Sequence, residues 1–142
     1  MAIITLPADS TTLVLNGRVI QDFEAGDIYT LTPVNPSTSH TNSSNAGVSI
    51  HERVDRGVHD LVVRVQKFSD DDVFLNGLRN APATIIDGSA KEVFVKDGTE
   101  GVDTHEMQTG SITTQPTPTK SDTDGNSLME YTIRFRNVVR SI

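Results

Sequence analysis

The closing stretch "LMEYTIRFRNVVRSI" alternates strictly: Met129, Tyr131, Ile133 and Phe135 fall on one side, Glu130, Thr132, Arg134 and Arg136 on the other. A period of two marks a β-strand with one face on a core, and a helix cannot use it. The same rhythm recurs upstream. From Val58 to Phe68, Leu61, Val63 and Val65 share a side with His59, while Val62, Arg64 and Gln66 face the other way, and the β-branched content supports strand. Val48 to Val54 predicts the strand before it, with a turn near Asp55-Arg56-Gly57. Near the start, Leu13 and Leu15 alternate with smaller or more polar neighbours. Asn16-Gly17 then offers a type I′ turn between "LVL" and "RVI". A second turn, Glu24-Ala25-Gly26-Asp27, leads into "IYTLTP", so the opening reads as a β-meander. "TIIDGSAKEVFVKDGTEGV" predicts two short strands around Asp87-Gly88 and Asp97-Gly98 turns. "DTHEMQTGSITT" predicts a strand that becomes merely extended at Gln115-Pro116-Thr117-Pro118, where proline suits an edge or loop, and "SDTDGNS" reads as a turn.

One segment breaks the β-rhythm. In "FSDDDVFLNGLRNAP", Ser69 is a good N-cap, and Asp72 holds the third helical position, where a carboxylate can reach back in a capping box. Phe68 and Val73 are spaced for a hydrophobic staple, and the three aspartates suit the positive end of the helix dipole. Phe74, Leu75 and Leu78 form the apolar side and Pro82 ends the helix. The fold class is therefore mainly β, with one short helix over residues 69–80. At 142 residues the chain reads as a single domain, 1–142.

Between these elements, residues 35–47, "NPSTSHTNSSNAG", are almost wholly small and polar, and predict a long flexible loop. Hydrophobic residues make up only 35% and aromatics 5%, lean for a self-sufficient monomer, so either the loops are long or neighbours contribute to its burial. The net charge of -7 argues against tight nonspecific attraction to nucleic acid. No cysteine is present, which excludes disulfides, thiol catalysis and cysteine-based zinc sites. The start "MAIITLPADSTT" lacks a basic stretch and an apolar run, so no secretory signal is expected, and no apolar run approaches membrane-spanning length.

The candidate chemistry is thin. "SDDD" at 69–72 is explained by helix capping. "DTDGN" at 122–126 departs from a calcium loop, lacking its later glycine and glutamate, and reads as a turn. His51-Glu52 and His105-Glu106, with His59, lack the helical two-histidine spacing that grips zinc. No base accompanies the serines and threonines of 37–44, so no nucleophile is assigned and an enzyme is the weakest reading. Arg134, Arg136 and Arg140 lack the aromatic interleaving of a nucleic-acid groove, and pairing with acidic residues of an adjacent subunit is expected.

The order of these pieces resembles the tail tube proteins of long-tailed bacteriophages, above all contractile ones, and their Hcp relatives in secretion systems. The carrying stretches are "LVLNGRVIQDFEAGDIYTLTP", the polar stretch before the strand pair, "GVHDLVVRVQKFSDDDVFLNGLRNA" and "MEYTIRFRNVV"; Ile85 to Thr119 matches least. The resemblance implies a β-sandwich or barrel of the tail-tube and Hcp type, and a structural virion protein with no enzymatic activity and no cofactor. In that family six copies form a ring with a continuous barrel of about 24 strands, the helix packed outside. Rings stack into the hollow inner tube of a phage tail, assembled in the host cytoplasm, which delivers DNA to the host cell. Its implied partners are further copies, a sheath protein, a tape measure protein in the lumen and DNA in transit, with no membrane insertion. On this reading Ser49, His51, Arg53, Asp55, Asp103, His105 and Gln108 line the lumen, Arg53 being neutralised by Glu52 or a neighbour. Asn35, Ser37, His40, Asn42 and Ser44 join Arg134, Arg136 and Arg140 in contacts between subunits or rings. The alternatives are a baseplate tube initiator, an Hcp-type secretion tube, or a small β-sandwich binding or adhesin module. Two tyrosines and no tryptophan count against sugar stacking by such a module.

Overall fold

The structure, a computed structural model, describes residues 1–7, 10–24, 26, 28–123 and 128–142. Ten strands and one helix follow in the order β1 (Ile4–Thr5), β2 (Thr11–Leu15), β3 (Arg18–Ile20), β4 (Tyr29–Pro33), β5 (Thr38–Asn42), β6 (Val48–Glu52), β7 (His59–Gln66), α1 (Asp70–Asn80), β8 (Ile86–Lys96), β9 (Thr99–Thr114) and β10 (Leu128–Ser141). An antiparallel sheet runs β3-β2-β8-β9-β10-β7-β4, with β1 also on β8; β5 and β6 form a separate two-stranded sheet. Parts of the predicted turns at 24–27 and 121–127 lie outside the described residues.

The β2–β3 hairpin forms as the sequence predicts, with Asn16 at φ 48° and Gly17 at φ 79°. The meander does not. β4 pairs with β7 at the opposite end of the sheet, because Leu31 sits beside Leu61 there and both side chains turn towards the same core. Asp87-Gly88 is likewise no turn. β8 continues through it, with a register shift against β9 that Asp87 stabilises by accepting the Thr109 N–H at 2.8 Å. The true hairpin turn is Asp97-Gly98, with φ 50° and 82°.

The chain leaving β3 joins the two ends of the main sheet. Gln66 N–H donates to Asp22 O at 2.9 Å, Glu24 N–H to Arg64 O at 3.1 Å, and Phe23 bridges Val65. The sheet thus closes around a core of Leu13, Leu15, Leu61, Val63, Tyr131 and Phe135 among others, with Leu75 of α1 plugging it. The body therefore has a core of its own, which a lean composition can supply because one face of each core strand points inward.

Two tight contacts order the long strands. Phe135 covers Gly110 directly across the β9–β10 ladder, and Phe94 covers Gly101 across β8–β9. A Cβ on Gly110 would lie 2.6 Å from two Phe135 ring carbons, and that ring is wholly buried. Gly110→Ala is expected to cost about 1–3 kcal/mol in urea unfolding. Gly101→Ala should cost less, since half-buried Phe94 can swing aside.

At the helix start, Ser69 accepts the Asp72 N–H at 3.2 Å, as a cap should. The return bond lands one residue early, on Phe68 N–H, at 3.0 Å. The staple is absent. Phe68 adopts φ 70° and turns out to solvent, 83% exposed, under the Lys67 ammonium, and Val73 is exposed as well.

Candidate functional site

Beyond the main sheet, the β4–β7 hairpin keeps running. Val34 N–H donates to Val58 O and Arg53 N–H to Ser37 O, both at 3.0 Å, carrying the ladder into β5–β6. The resulting ribbon projects from the body and ends in a turn where Ser43 and Gly47 bond each other. The long-loop expectation for 35–47 is thereby corrected: Thr38–Asn42 is a strand, paired with β6 from Thr38↔Glu52 to Asn42↔Val48. Polarity disguised it, because every residue of both strands is exposed and no apolar rhythm is required.

Directly paired residues share a face. One face carries Ser39, Thr41, Ser49 and His51, all polar; the other carries Thr38, His40 and Asn42 against Glu52, Ile50 and Val48. Val48 and Ile50 are 56% and 64% exposed. The ribbon is thus amphipathic with both faces bare, and a two-stranded ribbon in water is marginal by itself. A compact monomer of this mass exposes about 7,200 Å²; this chain exposes 9217 Å².

At the ribbon's base Arg53 grips Asp55 with two bonds of 2.9 Å, so Arg53 is neutralised by Asp55 and not by Glu52. That bond holds the Asp55 carboxyl below its usual range. Asn35 reaches the Asp55 carbonyl at 3.2 Å. Ser49 and His51 therefore share one ribbon face, with Arg53 and Asp55 at its root. Ser37 closes the ladder, Ser44 lies in the tip turn, and His40 and Asn42 stand on the face with Val48 and Ile50. The β9 candidates divide: Asp103 and His105 are on the same strand face as buried Met107, Gln108 on the other. Gln108 reaches the ribbon base, lining a hollow with Val54 and Arg56.

Two C-terminal arginines find their carboxylates at home. Arg134 binds Asp60 at 2.8 and 3.0 Å, and Arg140 binds Asp103 at 2.8 and 3.1 Å, correcting the expectation that they pair across subunits. Cross-strand neighbours on one face come within reach sooner than any other copy can. These bonds hold the Asp60 and Asp103 carboxyls low, each against some opposing burial. No group of three potential metal ligands occurs among the described residues.

Sequence reasoning missed the apolar pair Val48 and Ile50, although their alternation with Ser49 and His51 was in view. It also missed Asp71. This carboxylate is buried and accepts Arg18 Nε at 2.9 Å, Gln21 N–H at 2.7 Å and Asp22 N–H at 2.8 Å, locking α1 to the segment that closes the sheet. Asp72 accepts the Tyr131 hydroxyl at 2.7 Å, and burial followed by that carboxylate pushes the phenol up.

No family model and no curated protein matches the sequence. Solved structures do match. The anti-feeding prophage tube-terminating cap superposes with TM-score 0.71 at 12% identity, over 96% of this chain and 91% of that one. A chain of the sheath/tube terminator of the PVC extracellular contractile injection system matches with TM-score 0.68 at 12% identity, over 97% of each chain. Hcp1 from Flavobacterium johnsoniae matches with TM-score 0.52 at 14% identity, over 92% of this chain and 94% of that one. The chain has the mainly-β fold of tail tube and Hcp-like proteins.

Proposed function

We propose that this chain is a structural subunit of a phage-tail-like tube, six copies closing into a ring and rings stacking into a hollow conduit for DNA. The observation that carries the reading is the bare ribbon. Its backbone edges are unpaired, its Val48–Ile50 side is uncovered, and the fold is one found in tube and cap proteins. A surplus of about 2,000 Å² over a compact monomer exceeds the roughly 800 Å² that a standard interface takes from each partner, room for a neighbour on either side. Joining ribbons side by side in a closed ring removes the exposed edges.

In such a ring the polar ribbon face, with Ser49 and His51, turns to the lumen with Arg53 and Asp55 at its root, and the face of β9 that turns inward adds either Asp103 and His105 or Gln108 to the proposed lining, not all three. Asn35, Ser37, His40, Asn42 and Ser44 meet the neighbouring copy or ring. A tape measure protein occupies the lumen during assembly, a sheath surrounds the tube, and the assembly belongs to a phage tail built in the host cytoplasm. The net charge of -7 keeps DNA moving, since an acidic wall offers phosphate no counterion-release minimum.

A second reading is a ring that ends a tube, favoured by the higher TM-scores to the cap and terminator structures than to the PVC sheath-tube complex, at 0.64. Electron microscopy of the purified protein separates the two. A tube subunit gives rings that stack into filaments on concentration, a terminator gives rings that stay single, and a stable monomer at high concentration rejects both.

A further inference from the structure

Where the ribbon leaves the body, the turn at 54–57 is pressed onto β10. Val138 N–H donates to Gly57 O at 3.0 Å, and a Cβ on Gly57 would lie 2.4 Å from Asn137 Oδ1 and 3.2 Å from Asn137 Cα, a close approach that glycine eases. Beside this contact β9 carries an irregularity, with Thr109 at φ 55° and its N–H held by Asp87. The two together frame a hollow of about 340 Å³ lined by Val54, Arg56, Gln108, Thr109, Arg136 and Asn137, besides Gly57. Among the described residues the lining contains two guanidiniums and no carboxylate.

Arg136 is the exception among the eight arginines. Arg18, Arg53, Arg134 and Arg140 each hold a carboxylate closely, Arg56 and Arg64 face Glu52 and Glu130, and Arg79 bonds Asn76 and Gln115. Arg136 has no ion pair or hydrogen bond among the described residues. In a chain with 19 acidic and 12 basic side chains, an arginine left without a carboxylate is a directed vacancy for one. Its fork matches a carboxylate with two bonds.

We infer that the Arg56–Arg136 hollow receives an exposed carboxylate side chain from a second copy of this chain. The inference rests on the ring reading above and names the contact beside the ribbon. Charge complementarity selects the occupant. A second copy brings a surplus of carboxylates on a surface it must in any case cover, whereas a polyanion such as DNA meets the repulsion of the whole acidic body before reaching this hollow. Val54, 97% exposed at the rim, supplies apolar contact next to the charge.

Arg136→Glu tests this. Its expected result is an unchanged melting temperature with the concentration for half-assembly raised by about tenfold or more, read by light scattering and electron microscopy. Arg136→Lys supplies an independent reading. In a mixed isotope-labelled assembly treated with a zero-length carbodiimide, the introduced amine should couple to an Asp or Glu of the other copy, identified by mass spectrometry. Assembly unaffected by Arg136→Glu overturns the inference, as does a cross-link confined to one chain. Loss of oligonucleotide retention with assembly intact also overturns it, in favour of nucleic acid. If the unaltered protein never assembles, the ring reading falls and takes this contact with it; if it assembles and the variants behave as wild type, only the contact falls.

Discussion

Asp71→Ala is expected to lower the unfolding free energy by about 3 kcal/mol, shifting the melting temperature by roughly 10 °C. The residue is 1% exposed, and its two carboxylate oxygens satisfy three donors: the Arg18 guanidinium and the N–H groups of Gln21 and Asp22. Removing the acceptor strands two backbone donors, each costing about 1–3 kcal/mol where water cannot replace it. The damage falls on a joint, because Asp22 also gives its carbonyl to Gln66 where the main sheet closes. Asp71→Asn keeps a carbonyl oxygen for the Gln21 and Asp22 N–H groups, which share one carboxylate oxygen, and turns its NH₂ toward Arg18, so it should lose clearly less than alanine. Equal losses by alanine and asparagine would mean that the pair with Arg18, and not the backbone bonds, is what matters.

The same carboxylate sets a pH dependence. Burial alone would push the Asp71 carboxyl up, but the Asp22 and Gln21 N–H bonds and then Arg18 outweigh it and hold the group below the usual carboxylate range. A depressed carboxyl stabilises the fold fully above its unfolded value of about 3.9 and loses that contribution as pH falls through the folded one. Urea unfolding of wild type and Asp71→Ala should therefore differ most near neutral pH, and the gap should shrink in strong acid. A gap that stays constant with pH would remove the ionised carboxylate from the account.

Legibility followed sequence distance. The β2–β3 hairpin, the alternation of β7 and β10 and the Ser69 cap depend on residues within a few positions of one another, and all were readable. The placement of β4 beside β7 was not, because its partner lies about thirty residues on and the nearer β3 gives the same local pattern. Asp70, Asp71 and Asp72 read as one capping cluster. Successive helical positions diverge by about 100°, which sends Asp70 to solvent, Asp71 to β3 and Asp72 to Tyr131. The Phe68–Val73 staple failed for a local reason that spacing does not encode, the left-handed backbone of Phe68. For the candidate site, the shared face of Ser49 and His51 follows from alternation, but the home pairing of Arg134 and Arg140 depends on register across β7, β9 and β10.

Excising the ribbon should separate folding from assembly. With Ser37–Arg53 replaced by a two-glycine turn, the expected product is a monomer at every accessible concentration, forming neither rings nor filaments. No residue of β5 or β6 belongs to the core cluster, and the sheet closure at Asp22–Glu24 lies elsewhere. The unfolding free energy should therefore stay within about 1 kcal/mol of wild type, since a shorter connection changes closure entropy only slowly. Point changes then assign the faces. Val48→Thr with Ile50→Thr removes two apolar contacts without removing strand propensity, and should weaken assembly by about 2 kcal/mol, roughly thirtyfold in concentration. Ser49→Ala with His51→Ala should leave assembly near wild type if that face looks onto an open lumen. The reverse outcome, with the polar pair sensitive and the apolar pair silent, would put Val48 and Ile50 against solvent and the serine–histidine face against the neighbour. Intact rings from the excised chain would transfer the interface to the main body, where β1 and its flanks, with exposed Ile3, Ile4 and Leu6, offer the alternative edge.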